Sequence, residues 1–448
     1  MGTANQAISL RPSLLTPTKA KTPFSTILLW VGLFSVSWDR FAGISVGTFN
    51  LKLPIVAFAL AFALTLVDRV ALRRPPMGAH PAIGLALAVI IAYFVGALFA
   101  LDTQLAVIQF GTVVLGAFLP FLAVFTNLRT FGGLDSALTA FIRGGILASV
   151  FGLYQLTAFY AGLPQLIQYE ATGGGLGRIS SFSYEAAYFA YFLILVIAAV
   201  FARAHITKAS INIWLVGFLL IVLILANSRA TVFTLPLLLV LAFFRRPDKS
   251  LTKKLTPLFL ITIWVLVFMW LALPDIYETF FERAATIFDP TEQSSNAPRL
   301  DTYDAAWVIA QQDLLTGIGG GNFRDALAAM TGVHVPGISA NELIANNVWL
   351  QALLDGGVIL LAAEAILVIV AARTLYRRAI PGARLLMAGW LSALLVSSMV
   401  TSYFFDVKIW VVLALALAVA KDQIGSAPEF IGVHSGRTRQ PSSLSSGT

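Results

Sequence analysis

A chain of 448 residues that is 58% hydrophobic and only 12% charged, with a mean hydropathy of +0.83, falls outside the ordinary soluble classes and has the bilayer as its natural solvent. Its net charge of +8 comes from 30 Lys and Arg dispersed among loops between apolar runs; without a basic stripe or interleaved stacking aromatics, nucleic acid is not an indicated partner. No cysteine is present and the four histidines are far apart in sequence, so neither a disulfide, a metal centre nor a cofactor is expected.

Residues 1–24 read as a polar cytoplasmic segment, and no small-residue cleavage site follows the first apolar run, so the first span is expected to persist. Apolar runs long enough to cross a core of ~30 Å as helices lie at 25–38, 51–67, 82–100, 105–126, 137–160, 184–202, 210–227, 230–244, 255–273, 347–371, 384–401 and 407–420. The expected fold is therefore an all-α polytopic membrane protein with about twelve transmembrane helices. Spans one to nine occupy 25–273 and spans ten to twelve occupy 347–421, with a large outer loop at 274–346 between them. With the N-terminus inside, 22 of the 30 basic residues fall on inner loops, the bias that the positive-inside rule requires. Both termini are then cytoplasmic, and the Ser-, Gly- and Arg-rich tail at 422–448 has too little apolar surface to order itself.

The outer loop contains amphipathic stretches, DIYETFFERAATIF and RLDTYDAAWVIAQQDL, that predict helices folded over the outer face. Its ten acids against Arg283, Arg299 and Arg324 read mostly as solvated surface. There is no six-plus-six repeat and no long central inner loop, which weighs against the commonest transporter plan.

Eight basic residues remain outside: Arg40, Lys52, Arg178, Arg229, Arg283, Arg299, Arg324 and Lys408. Arg229, in LILANSRATVFTLPLLL, lies between two spans with almost no loop, where a guanidinium costs a few kcal/mol unless it snorkels to lipid phosphate or holds an anion. Arg178 follows the Gly-rich run ATGGGLG, and Glu185 opens the sixth span seven residues later. Two readings fit this pair: Glu185 complements the helix dipole or pairs with Arg178, or the mobile segment brings Arg178 over a substrate while Glu185 accepts a proton. Arg299 stands behind Pro298 at the start of an amphipathic helix, and alone it reads as a surface cation. The turn DLLTGIGGGNF matches no phosphate-binding spacing, so a structural turn is the default. Asn346 and Asn347 at the outer end of the tenth span fit helix caps, and Glu364, deeper in that span, should face the bundle interior.

Taken in chain order, Ser228-Arg229, Arg299 with Trp307, the turn carrying Leu314, Gly317, Gly319, Gly321, Asn322 and Phe323, and then Asn346, Asn347, Leu350, Asp355 and Gly357 form a set over about 220–372. With that set the chain resembles the O-antigen ligase and polymerase family, bacterial membrane glycosyltransferases that use undecaprenyl-diphosphate-linked sugars. The Arg178 to Glu185 segment looks like that of exopolysaccharide polymerases. The resemblance implies a GT-C-like helical fold in the bacterial inner membrane and metal-independent glycosyl transfer at its periplasmic face. It implies an undecaprenyl-diphosphate-linked oligosaccharide and membrane lipids as partners, with room for a chain-length regulator. Arg178, Arg229 and Arg299 are then the clamp on the diphosphate, with Ser228, Arg324, Asn347, His334 and Glu342 as further substrate contacts. Asn346 stands where the ligases carry a histidine, and Asn takes no proton as a base. Glu185, Glu342 and His334 are the remaining candidates, and Glu185 is favoured. Losing the histidine raises the polymerase reading over the ligase; a transporter or flippase of lipid-linked sugars is the rival from another class.

Overall fold

The computed structural model describes residues 22–418 apart from 42, 47–48, 76–79, 165, 168–169, 172–176, 244–248, 273, 286–295, 332–343, 378–380 and 399–403. Among the described residues the chain is built of helices, with two small antiparallel hairpins as the strand pairing. The expected disordered tail lies outside them, as do His334 and Glu342.

Each of the twelve apolar runs coincides with a helix. They are α1 (Phe24–Phe34), α2 (Leu53–Ala71), α3 (Pro81–Leu98), α4 (Thr103–Val113) continued into α5 (Leu119–Phe131), α6 (Leu134–Ala161), α7 (Ala186–Ile206), α8 (Ile213–Leu225), α9 (Arg229–Phe243), α10 (Lys249–Ala272), α14 (Val348–Arg377), α15 (Pro381–Ser397) and α16 (Val407–Ala418). Between α10 and α14 the long loop forms α11 (Pro274–Ala285), α12 (Asn296–Ala310) and α13 (Phe323–Thr331). By length and composition, α2, α3, the α4–α5 unit, α6, α7 and α14 can each cross a membrane, and α1, α8, α15 and α16 are shorter apolar helices. The first is the clearest shortening: the run 25–38 forms helix only to Phe34, where the Ser35 hydroxyl donates to the Val31 carbonyl and the chain turns. The α4–α5 unit opens on Asp102, whose carboxylate accepts from the Leu105 amide, and passes through a π-helical turn at Val114–Phe118.

The helix α7 is apolar all round, and Phe189, Phe192, Leu193, Ile194 and Leu195 are fully buried, as a central helix requires. It packs against α6, α8, α9 and α15. In lipid the apolar surface itself gives neighbouring helices little reason to associate, so close contact at small residues and buried hydrogen bonds take over. Gly145 lies against Val196 and Gly389 against Ala198, letting α6 and α15 approach α7. A buried relay from Thr26 to Asn127 to Thr65 ties α1, α5 and α2. The end of α1 and the start of α16 are joined by Lys408, fully buried, whose ammonium reaches Asp39 at 2.7 Å and Asp406 at 3.0 Å.

The loop has its own small core, in which Ala306, Ile309 and Ala310 of α12 meet Ile318, Phe323 and Ala345, together with Leu353 and Leu354 of α14. The loop is therefore docked on α14.

Candidate active site

The helix α14 is broken. Gly356 (φ −154°, ψ 17°) and Gly357 (φ 62°, ψ −158°) interrupt it two turns in, which frees carbonyls and amides from their helical partners. The Gly-rich turn of the loop takes them up: the Ile318 and Gly319 amides donate to the Leu354 carbonyl at 2.8 and 3.1 Å, and the Val358 amide donates to Leu314 at 2.9 Å. Gly317 makes this approach feasible, with φ +71° and a position where a Cβ would lie 2.5 Å from the Leu354 oxygen. On its other side the turn is anchored by Asn322, which accepts from the Asp102 amide and donates to the Asp102 carbonyl. The two glycine motifs are thus partners in one structural joint, and the break is filled by backbone.

Beside the joint, Tyr93 of α3 donates to Asp355 at 3.3 Å, and Gln351 donates to the same carboxylate at 2.7 Å. Gln351 also accepts from the Ala345 amide, so a hydrogen-bonded line runs from the break to the turn that holds Asn346. Glu364 is 1% exposed, as a carboxyl turned into the bundle should be.

Asn346 has a left-handed backbone, φ 51°, a conformation that Asn and His tolerate better than most residues. Its carbonyl accepts from Tyr303 at 3.0 Å. Tyr303 lies one turn beyond Arg299, which is in the first turn of α12, so the Arg299 helix and the Asn346 turn are fastened together. Asn347 is a cap: its side-chain oxygen accepts from the Trp349 and Leu350 amides at 3.0 and 3.1 Å.

The turn between α8 and α9 is three residues long. Asn227 adopts φ 46°, Asn227 and Ser228 are buried, and Arg229 begins α9. Arg178 ends the second hairpin, β3 (Glu170–Ala171) with β4 (Gly177–Arg178), where it pairs across from Glu170. After it, the Gln155 side chain holds both the amide (2.7 Å) and the carbonyl (3.1 Å) of Ser181, and the Ser181 hydroxyl donates to Ala148. This fixes the following segment on α6. Glu185 is exposed and precedes the first turn of α7 as its N-cap residue, one position earlier than the sequence reading set it. Arg324 is engaged by its neighbour Asp325 at 2.7 Å, which holds its guanidinium above the ordinary arginine pKa.

The helices α7 and α9 pack on each other and on α15. The last turn of α15 holds the start of α14, through the Val348 amide on the Ser398 carbonyl at 3.1 Å. On the loop side, α12 is fastened to the Asn346 turn, next to the Asn347 cap of α14. Tyr303, Gln351, Gln155 and Tyr93 are the supports that sequence reasoning missed. Polar side chains within or beside apolar helices were the only signal available for them.

This architecture defines a multi-pass membrane protein whose long loop is docked on α14. The model of a family described as O-antigen ligase matches residues 214–365, from the start of α8 to just past Glu364, which supports the resemblance to the O-antigen ligase and polymerase family over that segment. A search of curated proteins gave no match.

Proposed function

We propose that the protein polymerises saccharide repeat units carried on undecaprenyl diphosphate, in the bacterial inner membrane, with twelve spans and the α7, α9 and α14 starts facing the periplasm. The observation that carries this reading is the docking of the long loop on α14, through α12 and the Gly-rich turn, inside the segment that matches the family. In the reaction a hydroxyl of one lipid-linked repeat attacks C1 of the donor sugar. The bond from C1 to the phosphate oxygen breaks, the diphosphate leaves on its lipid, and the hydroxyl proton passes to Glu185. The demand is charge on the leaving diphosphate, which guanidinium groups meet bidentately without titrating. Arg178, Arg229 and Arg299 are that clamp, and a preorganised donor in a shielded site lowers such a barrier by roughly 3 kcal/mol.

The family description favours a second reading, a ligase that moves finished glycan to lipid A core or another acceptor. Against it stands Asn346 at the position of the ligase histidine. Purified protein in proteoliposomes, given one lipid-linked repeat and no other acceptor, separates the two. A polymerase yields a ladder of products; a ligase yields none until a core acceptor is added.

A further inference from the structure

The segment that leads into Glu185 is held by two cations from a distant part of the chain. After α1, the first hairpin, β1 (Gly43–Val46) with β2 (Phe49–Lys52), runs straight into α2. The Arg40 amide donates to the Phe182 carbonyl at 3.0 Å, and its guanidinium donates to the Tyr184 carbonyl at 3.4 Å. The Lys52 ammonium sits 4.7 Å from the centre of the Tyr184 ring. Trp38, Phe41 and Phe182 pack on one another behind this contact, and Phe182 stacks on Phe151 of α6 at 4.3 Å. The two cations therefore ride on a fixed aromatic platform. Arg40 and Tyr184 are exposed, and Lys52 has no carboxylate partner among the described residues.

The chemistry gives this arrangement a purpose that one clamp does not cover. Joining two lipid-linked saccharides brings two diphosphates to one site: the donor's, which leaves, and the acceptor's, which stays. Two dianionic groups need separate cationic seats with the proton acceptor within reach of both. Glu185 directly follows Tyr184, so Arg40 and Lys52 stand beside the start of α7. We infer that Arg40 and Lys52 form a second phosphate-binding subsite beside Glu185, which takes the diphosphate of the acceptor lipid. The inference rests on the polymerase reading. A phospholipid headgroup offers the same phosphate chemistry, and the test must separate the two sources.

Full-length protein in phosphatidylcholine nanodiscs is titrated with undecaprenyl diphosphate, and bound equivalents are counted by native mass spectrometry. Wild type is expected to bind two. Lys52→Gln, which breaks no hydrogen bond, should weaken the second equivalent roughly tenfold, the scale of one charge-assisted contact. Arg40→Gln with Lys52→Gln should abolish it, whereas Arg40→Lys with Lys52→Arg retains it. Excess phosphatidylglycerol should leave both equivalents bound. Two equivalents in the double Gln variant, a single equivalent in wild type, or displacement of the second by phosphatidylglycerol each overturns the subsite alone. No binding in wild type removes the polymerase reading along with it.

Discussion

Replacing Gly317 by Ala tests the joint between the loop and the broken helix. The substitution forces a side chain into a backbone with φ +71°, at about 1–2 kcal/mol. Its Cβ would stand 2.5 Å from the Leu354 carbonyl oxygen and 2.7 Å from the Gly357 nitrogen, so the turn has to withdraw from α14. Withdrawal gives up the three backbone bonds of Ile318, Gly319 and Val358, worth about 1 kcal/mol each. The sum of roughly 4–5 kcal/mol corresponds to about a thousandfold loss of protection from local opening, at 1.4 kcal/mol per factor of ten. Hydrogen exchange of the purified protein, read by mass spectrometry on peptides covering 314–323 and 354–360, measures this directly. Exchange in both segments should accelerate together while peptides of α7 stay protected. Unchanged exchange, or acceleration in the turn alone, would refute the interlock.

Lys408→Met leaves Asp39 and Asp406 facing each other without their shared cation, and breaking a buried pair in this way costs about 3–5 kcal/mol; thermal unfolding in detergent should show a clear drop, partly restored by adding Asp39→Asn. Asn347→Ala should cost about 1 kcal/mol as a lost cap, and Asn347→Asp should keep both stability and product formation; product lost in the Asp variant at unchanged stability would mean that Asn347 contacts substrate. Tyr303→Phe should lower product yield without changing expression, because it releases the Asn346 carbonyl from the Arg299 helix. A yield equal to wild type would detach that contact from the chemistry.

The helices were legible because runs of apolar residues leave little choice in lipid, where backbone groups must be paired within the segment. Their ends were less so. The first helix stops at Phe34 because Ser35 and the turn toward Trp38 satisfy its carbonyls locally, which hydropathy does not register. Asn347 and the Gly-rich turn were read as a cap and a structural turn, and both readings fit the structure. What the sequence concealed was that the turn and Gly356-Gly357 answer each other, since the pairing spans about forty residues and appears only as two separate glycine clusters. Lys408 was visible as one outer cation among eight, but its burial between two aspartates depends on the first and last helices meeting. The candidate residues were chosen by the cost of a charge near lipid, a criterion that finds Arg229 and passes over Tyr303, Gln155 and Gln351, uncharged side chains that hold neighbouring turns by hydrogen bonds.

The central claim is that cations at the starts of α9 and α12 drive departure of a lipid diphosphate. Chain length and turnover of a single undecaprenyl-diphosphate-linked repeat, measured in proteoliposomes with wild type, Arg229→Ala and Arg299→Ala at matched insertion, test it most directly. The account predicts a ladder from wild type and a fall in turnover of roughly a hundredfold or more in each variant, the loss expected for one preorganised donor. Ladders of normal length and rate from either variant would contradict it.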